Sequence, residues 1–389
     1  MVKPKVIITG GGTAGHTNPG IAVAEALVAG GLAAQDIHFV GGNRGNEAQL
    51  VPDAGFTISL LPGRGIQRKL TLENVGSVAA LLVGLVKGFG VIVRQRPNVV
   101  LCLGGYAAFA ASMAAVVLRV PLVISEQNAR ASAVNRLMSK WARSCALPFP
   151  DTDLPRGVLT GNPSRAAVID SVRRSDRDAA RTALGIPHDR VMIAVWAGSL
   201  GSTRINNAVR ELAVRWSDRS DVAIHHVIGR RDWQEFRQLP EEVAHGALVY
   251  NTIEYEDRMP QVLVGADVAI TRSGASTVAE LSVAGLPSIL VPLPGAPRDH
   301  QRANTAELVD GGGGVLVLDR DLTADRLESE LTPLLDDRTR IAAMGEAAQS
   351  VARPDAAHRV AELLSSIGEF TLSTTTPMPG DSESGKAGL

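Results

Sequence analysis

The sequence predicts an α/β protein of two similar lobes, each a parallel sheet flanked by helices. Three features predict it. Short β-branched runs alternate with helical segments. Several of these runs close on glycine turns that lead into a helix. The whole succession then restarts near residue 191.

Lys5–Thr9 (KVIIT) is a buried strand by its branched run, closed by Gly10–Gly12. Pro19–Leu27 reads as a helix with its alanines on one side. Ile37–Val40, Asn98–Leu103 and Leu122–Ser125 are further strands, the last two separated by an alanine-rich helix over Ala107–Arg119. In the second half, Val191–Val195, Ala223–Ile228, Val268–Thr271 and Ser288–Val291 repeat the pattern. The proline- and glycine-rich stretch Pro148–Pro163 marks the boundary, and a charged helix over Ser164–Gly185 opens the second lobe. The expected domains are therefore 1–163 and 164–368, with the last helix of the second expected to pack back on the first, followed by a polar, low-complexity tail over 369–389 that is expected to be disordered. The carboxyl ends of both sheets should face a shared cleft.

Composition sets the class. A chain of 389 residues with 45% apolar and 20% charged residues can bury two ordinary globular cores. The net charge of −1 conceals an asymmetry: between Leu60 and Cys145, eleven Lys/Arg stand against only Glu73 and Glu126. Such a stretch attracts an anionic partner: phosphates, anionic lipid or nucleic acid. Cys102 and Cys145 have neither metal-ligand nor disulfide-framework spacing and read as buried free thiols. The N-terminal segment runs into a strand and a glycine loop, which is not a signal-peptide pattern. The longest apolar stretch, Val78–Val93, is interrupted by Lys87 and three glycines and falls short of the ~20 residues a spanning helix needs. The chain is expected not to cross a membrane, which leaves open that it lies against one.

Four glycine turns carry the candidate chemistry. Gly10-Gly11-Gly12-Thr13-Ala14-Gly15-His16 matches G-x-G-x-x-G between a strand and a helix, a turn that lets backbone N–H groups approach phosphate. A dinucleotide site also needs an acid after the second strand, and Val40-Gly41-Gly42-Asn43 lacks one, so no nicotinamide cofactor is expected. His16, at the strand's carboxyl end, suits a general base at neutral pH, or else caps the helix or bonds phosphate. Leu103-Gly104-Gly105-Tyr106 and Ser125-Glu126-Gln127-Asn128 add cleft-facing polar groups. Glu126 either orients His16 or a substrate hydroxyl, or pairs with Arg130. Ala197-Gly198-Ser199-Leu200-Gly201-Ser202 is the corresponding turn of the second half, and Arg165 at the junction is suited to clamp a diphosphate. The most specific turn is Thr271–Glu280 (TRSGASTVAE): free N–H groups at the helix start suit phosphate, and Glu280 further along suits a ribose diol. Asp299–Asn304 (DHQRAN) is a further polar cluster. Asp151-Thr152-Asp153 resembles a metal-binding D-x-D but sits in the linker, so it reads as a solvated loop and no metal is expected.

GGTAGH, LGGY, SEQN, GNPSR, AGSLGS, TRSGASTVAE and DHQRAN occur in that order over about residues 5–365. Together they resemble the MurG family of bacterial N-acetylglucosaminyltransferases of peptidoglycan synthesis. The resemblance implies a GT-B fold, two Rossmann-like domains about a cleft. It implies inverting transfer of N-acetylglucosamine from UDP-N-acetylglucosamine to undecaprenyl-pyrophosphoryl-N-acetylmuramoyl-pentapeptide. It places donor contacts at Thr13, Ala14, Gly15, Asn128, Arg165, Ser199, Ala275, Ser276, Thr277, Val278, Ala279, Glu280 and Gln301, and the base at His16; the sequence itself leaves open whether His16 or Glu126 takes the proton. The acceptor and its pyrophosphate are assigned to Gly104, Gly105 and Tyr106. Ala14 and Ala197 stand where glycine is more usual in the family. The resemblance also implies docking on the cytoplasmic face of an anionic membrane through Leu81, Leu82, Val83, Leu85, Val86 and Phe89, with Arg64, Arg68, Lys69 and Lys87 nearby in sequence. Neither a cofactor nor a nucleic-acid partner is expected. A nucleotide-sugar 2-epimerase and a non-catalytic sugar-nucleotide sensor are the rival readings.

Overall fold

A computed structural model describes residues 5–11, 14–43, 45–62 and 72–373, without the side chains of Ala14 and of residues 72–82. Thr13, Arg64, Arg68, Lys69, the side chains of Leu81 and Leu82, and the tail from residue 374 therefore lie outside the described residues.

The first sheet contains β1 (Val6–Gly10), β2 (Ile37–Gly42), β3 (Thr57–Leu61), β4 (Val99–Gly104), β5 (Leu122–Ser125), β6 (Ser144–Leu147) and β7 (Gly157–Leu159), in the order β3-β2-β1-β4-β5-β6-β7. The second contains β8 (Val191–Trp196), β9 (Val222–Val227), β10 (Val249–Ile253), β11 (Val268–Thr271), β12 (Ser288–Leu290) and β13 (Gly314–Leu316), in the order β10-β9-β8-β11-β12-β13. Every pairing in both is parallel. Counted within its own half, the second sheet repeats the 3-2-1-4-5-6 order of the first, the doubly wound arrangement of nucleotide-binding folds.

Strands buried on both faces explain why the central ones read as unbroken apolar runs. Val6, Ile8, Val99 and Leu101 face one core with the helix Ala14–Ala29, and Ile7, Val100 and Cys102 face the other with the helix Tyr106–Val117. The second sheet is likewise sandwiched between two apolar clusters. Both cysteines are buried and free.

Three elements differ from the sequence reading. The expected single helix over 164–185 is two, Ala166–Arg174 and Arg177–Leu184. Ser175 adopts a left-handed conformation (φ 48°) that ends the first, and Asp176 caps the second by accepting from Ala179 N at 2.9 Å. The first helix begins at Ala14, five residues earlier than expected, with Pro19 inside it. β7 lies within the proline-rich linker and pairs with β6, while Phe370 and Leu372 of the expected tail pack on the first lobe's core. The last helix, Ala356–Gly368, crosses back to that core and buries Ala357, Val360, Ala361 and Leu364 there.

The helix Leu72–Gln95 bears an exposed apolar stripe at helical spacing: Val83, Val86 (73% exposed), Phe89 and Val93. Leu85 turns inward against the core. No described helix is long and apolar enough to cross a membrane.

One buried network ties pH to stability. His226 on β9 is fully buried, with Nδ1 2.8 Å from the Tyr250 hydroxyl and Nε2 3.0 Å from Asn206 Oδ1. Burial, with His225 beside it, pushes its pKa from 6.5 down to about 3. A histidine depressed in the fold contributes stability above its unfolded pKa that is lost as pH falls toward the folded one. Chemical denaturation should therefore show about 2 kcal/mol less stability at pH 5 than at pH 7 from this residue alone. His226→Gln should flatten that slope, and an unchanged slope in the variant would contradict the assignment.

Candidate active site

The 3-2-1-4 order makes a crevice where chain direction reverses, between β1 and β4 in one lobe and between β8 and β11 in the other. All four glycine turns emerge there. In the first lobe Gly10 pairs with Gly104, and Gly105 (φ 88°) packs so closely that a Cβ on it would lie 2.7 Å from Gly11 O. In the second lobe Gly201 (φ 82°) meets the β9 end, where a Cβ would stand 2.0 Å from Ile228 O. Arg272 braces the second lobe's two turns: it donates to Ser202 Oγ (2.6 Å) and Pro292 O (3.0 Å) and pairs with Asp319 at 2.7 Å.

The lobes meet across this crevice. The helices Ala14–Ala29 and Ala275–Ala284 are in contact. Asn304, fully buried, accepts from Ala129 N (2.9 Å) and donates to Asn128 Oδ1 (3.2 Å) and Ser273 O (3.2 Å). Arg298 donates to Ala131 O (3.1 Å) and pairs with Asp153 at 2.7 Å, so the D-x-D stretch read as a solvated loop supplies a cross-lobe ion pair. Arg298 (φ 55°) and Asp299 (φ 52°) are consecutive left-handed non-glycine residues. Such conformations cost about 1–3 kcal/mol each and persist where surrounding contacts over-determine them.

The second lobe's helix Ala275–Ala284 starts at Gly274 with no side-chain cap, so its first-turn N–H groups are open to an anion. Ala275 and Val278 face the core, whereas Ser276, Thr277, Ala279 and Glu280 are half-buried. Ser276 Oγ, Arg165 Nε and both amide atoms of Asn162 are buried without hydrogen-bond partners, which marks polar capacity left for a ligand. Arg165, at the start of the helix Ala166–Arg174, is near enough to act on the charge of Glu280. Burial pushes the Glu280 carboxyl up to about 7, against the downward pull of the Arg165 guanidinium. Gln301 accepts from Leu293 N through Oε1 (2.9 Å) and from Ser273 Oγ through its carbonyl (2.8 Å), which leaves its amide Nε2 as the donor for a ligand. Ser199 is exposed on its turn, as is Gly15 on the opposite lobe.

The first lobe gathers ionisable groups around His16. Burial lowers the His16 pKa below its ordinary 6.5; Glu126 and Glu47 oppose that, and His300 of the second lobe adds to it. Glu126 is 1% exposed and accepts five hydrogen bonds: Oε1 from Gln127 N, Asn128 N and Asn128 Nδ2, and Oε2 from Ser132 N and Asn135 Nδ2. Its lone pairs are thereby engaged in holding the loop after β5, and Arg130 is exposed rather than paired with it. Glu47, which the sequence reading missed, lies under the first turn: its carboxylate accepts from Gly42 N (2.8 Å) and fills the space a Cβ on Gly11 would take, 2.0 Å from Oε1. Tyr106 opens its helix with its hydroxyl against Gly42. No group of three or more metal-ligating residues occurs among the described residues.

The glycosyltransferase family 28 N-terminal domain matches residues 6–147, and the family 28 C-terminal domain matches 192–360. A protein of Alkalilimnicola ehrlichii named UDP-N-acetylglucosamine–N-acetylmuramyl-(pentapeptide) pyrophosphoryl-undecaprenol N-acetylglucosamine transferase is 38% identical over 93% of this chain and 98% of its own length. The crystal structure of Acinetobacter baumannii MurG matches with a TM-score of 0.73 at 25% identity, over 93% of this chain and 99% of that one. A UDP-GlcNAc 2-epimerase from Neisseria meningitidis matches with a TM-score of 0.66 at 16% identity, over 92% of this chain and 99% of that one, a likeness of fold alone. The chain belongs to the MurG family of glycosyltransferases.

Proposed function

We propose that this chain transfers N-acetylglucosamine from UDP-N-acetylglucosamine to the C4 hydroxyl of N-acetylmuramoyl-pentapeptide on undecaprenyl pyrophosphate, with inversion at the anomeric carbon. The observation that carries the reading is a cleft with an open helix start and Arg165 on one side and His16 on the other. The near full-length identity to named transferases favours it over epimerisation.

The diphosphate of UDP rests on the first-turn N–H groups of Ser276 and Thr277, with Arg165 and Ser199 beside it and the ribose hydroxyls on Glu280. Asn128 and Gln301 orient the sugar. The first lobe's turn is the poorer diphosphate site, because the Glu47 carboxylate lies against Gly11. The acceptor's pyrophosphate is assigned to the start of the helix Tyr106–Val117, at Gly104, Gly105 and Tyr106. Gly15 and Ala14 line the passage between the two substrates.

His16, kept unprotonated near neutral pH by burial, takes the proton of the C4 hydroxyl as that oxygen bonds to the anomeric carbon. The bond from that carbon to the UDP oxygen breaks, and the charge building on UDP meets the helix dipole and Arg165. Glu126, with its oxygens already accepting five hydrogen bonds, shapes the loop that carries Asn128 rather than taking the proton.

The exposed stripe Val83, Val86 and Phe89, with Lys87 beside it, is the proposed docking face toward the cytoplasmic side of an anionic membrane. A few basic residues at ~1 kcal/mol each suffice for reversible attachment.

His16→Ala should lower kcat by ~10²–10⁴ while UDP still binds; a fall of less than tenfold, measured by radiolabel transfer to a short-chain lipid acceptor, would remove it from the base role. Donor affinity should weaken as pH drops below about 7, because a protonated Glu280 no longer accepts from both ribose hydroxyls. Glu280→Gln should raise the KM for donor by about tenfold and abolish that pH dependence. Val86→Asp with Phe89→Asp should reduce binding to anionic vesicles while turnover of a soluble short-chain acceptor is retained. Vesicle binding equal to wild type would refute the docking face.

A further inference from the structure

We propose that one internal water sits at the junction of the lobes, held by the Asn162 amide against the helix Ala275–Ala284, and that Asn162 is through this water a positioning residue for that helix. The positioning part rests on the reading of the helix as the donor's seat; the water site does not.

The junction has room for it. A cavity of about 30 Å³ lies between Gly161 and Asn162 on one side and Val278, Ala279 and Ser282 of the helix on the other. One water takes up about 30 Å³ in the liquid, so the space suits a single water and is far too small for a sugar or a nucleotide. The polar groups to hold it are also in place. Asn162 is 4% exposed, and both its amide atoms, an acceptor and a donor, are buried without a hydrogen-bond partner. Across the cavity the Ser282 hydroxyl gives its proton to Val278 O (3.0 Å) and keeps its lone pairs for a water proton. A water here bonds the Asn162 amide and donates to Ser282 Oγ, the kind of partners internal waters have. An ion is not called for: Arg353 and Glu307, the charged residues lining the cavity, pair with each other through two hydrogen bonds (2.9 and 2.6 Å).

Both passages of the chain between the lobes meet at this cavity. Residues 160–165 lead from β7 to the helix Ala166–Arg174, and residues 351–355 lead from the second lobe to the helix Ala356–Gly368 on the first lobe's core. The two passages are packed together: a Cβ on Gly161 (φ 89°) would lie 2.6 Å from Arg353 Cβ and 3.1 Å from Ala356 Cβ. Asn162 therefore stands on a fixed base, and its water supports the helix Ala275–Ala284 behind the uncapped first turn.

A high-resolution crystal structure of the full-length protein should show one ordered water within hydrogen-bonding distance of the Asn162 amide and Ser282 Oγ. No density there, or an Asn162 amide bonded directly to a protein group, would overturn the proposal. Asn162→Leu fills the space with apolar atoms and expels the water. Its KM for UDP-N-acetylglucosamine should rise about fivefold with kcat within about twofold of wild type. Asn162→Ala leaves the space open to water, so its donor KM should stay closer to wild type although it removes more packing. The reverse order would assign the effect to packing and overturn the role of the water. Ser282→Val fills the cavity from the helix side. It should raise the donor KM as Asn162→Leu does, and it covers the case in which that variant fails to fold. Donor KM unchanged in both filled variants would overturn the positioning role. UDP seated away from the helix Ala275–Ala284 would remove the donor reading and the positioning role with it, and the density alone would then decide the water.

Discussion

The side-chain amide of Asn304 holds the two lobes to one geometry. It is buried at the seam, and its hydrogen bonds run to Ala129 and Asn128 of one lobe and to Ser273 of its own. A buried amide with unmet partners is costly, so sliding one lobe over the other exposes or orphans these groups together. Apolar contact reinforces the seam, with Ala129 and Phe149 of the first half packed into the second lobe's core beside Val278 and Leu308. The cleft's opposing turns keep their spacing because of this seam, and so does everything proposed for the reaction.

Charge then divides the labour between lobes that share one strand order. The first lobe's turn has a carboxylate packed beneath it, and burial lowers the His16 pKa against the opposing pull of Glu126 and Glu47. The second lobe's helix starts without a cap, next to a guanidinium with an unpartnered Nε. In the proposed reaction the same strand-turn-helix unit thus serves proton transfer in one half and diphosphate binding in the other. The difference arises from a few side chains around the turn rather than from the fold.

The central strands were legible because burial on both faces demands unbroken branched runs, as in VIITG of β1 and VMIAVW of β8. The peripheral ones were not: β3 is half exposed, β7 is fully exposed, and β13 is three residues long, so none shows a periodic signal. The glycine turns were legible because close backbone approach at Gly105 and Gly201 excludes any side chain. Ser175 gave no comparable warning that a helix would break there. Within the site, Glu280 and His16 stood next to turns and could be read from them. Glu47 could not, since only the fold carries it under Gly11. The cluster Asp299–Asn304 was recognisable as polar, yet its role in the seam depends on partners of Asn304 that lie 175 and 176 residues away.

The most direct test of the account is a crystal structure of the protein with UDP bound. The diphosphate is expected on the first turn of the helix Ala275–Ala284, near Arg165, with the ribose hydroxyls on Glu280. Density for UDP on the Gly10–Gly15 turn instead, with Glu280 empty, would contradict it.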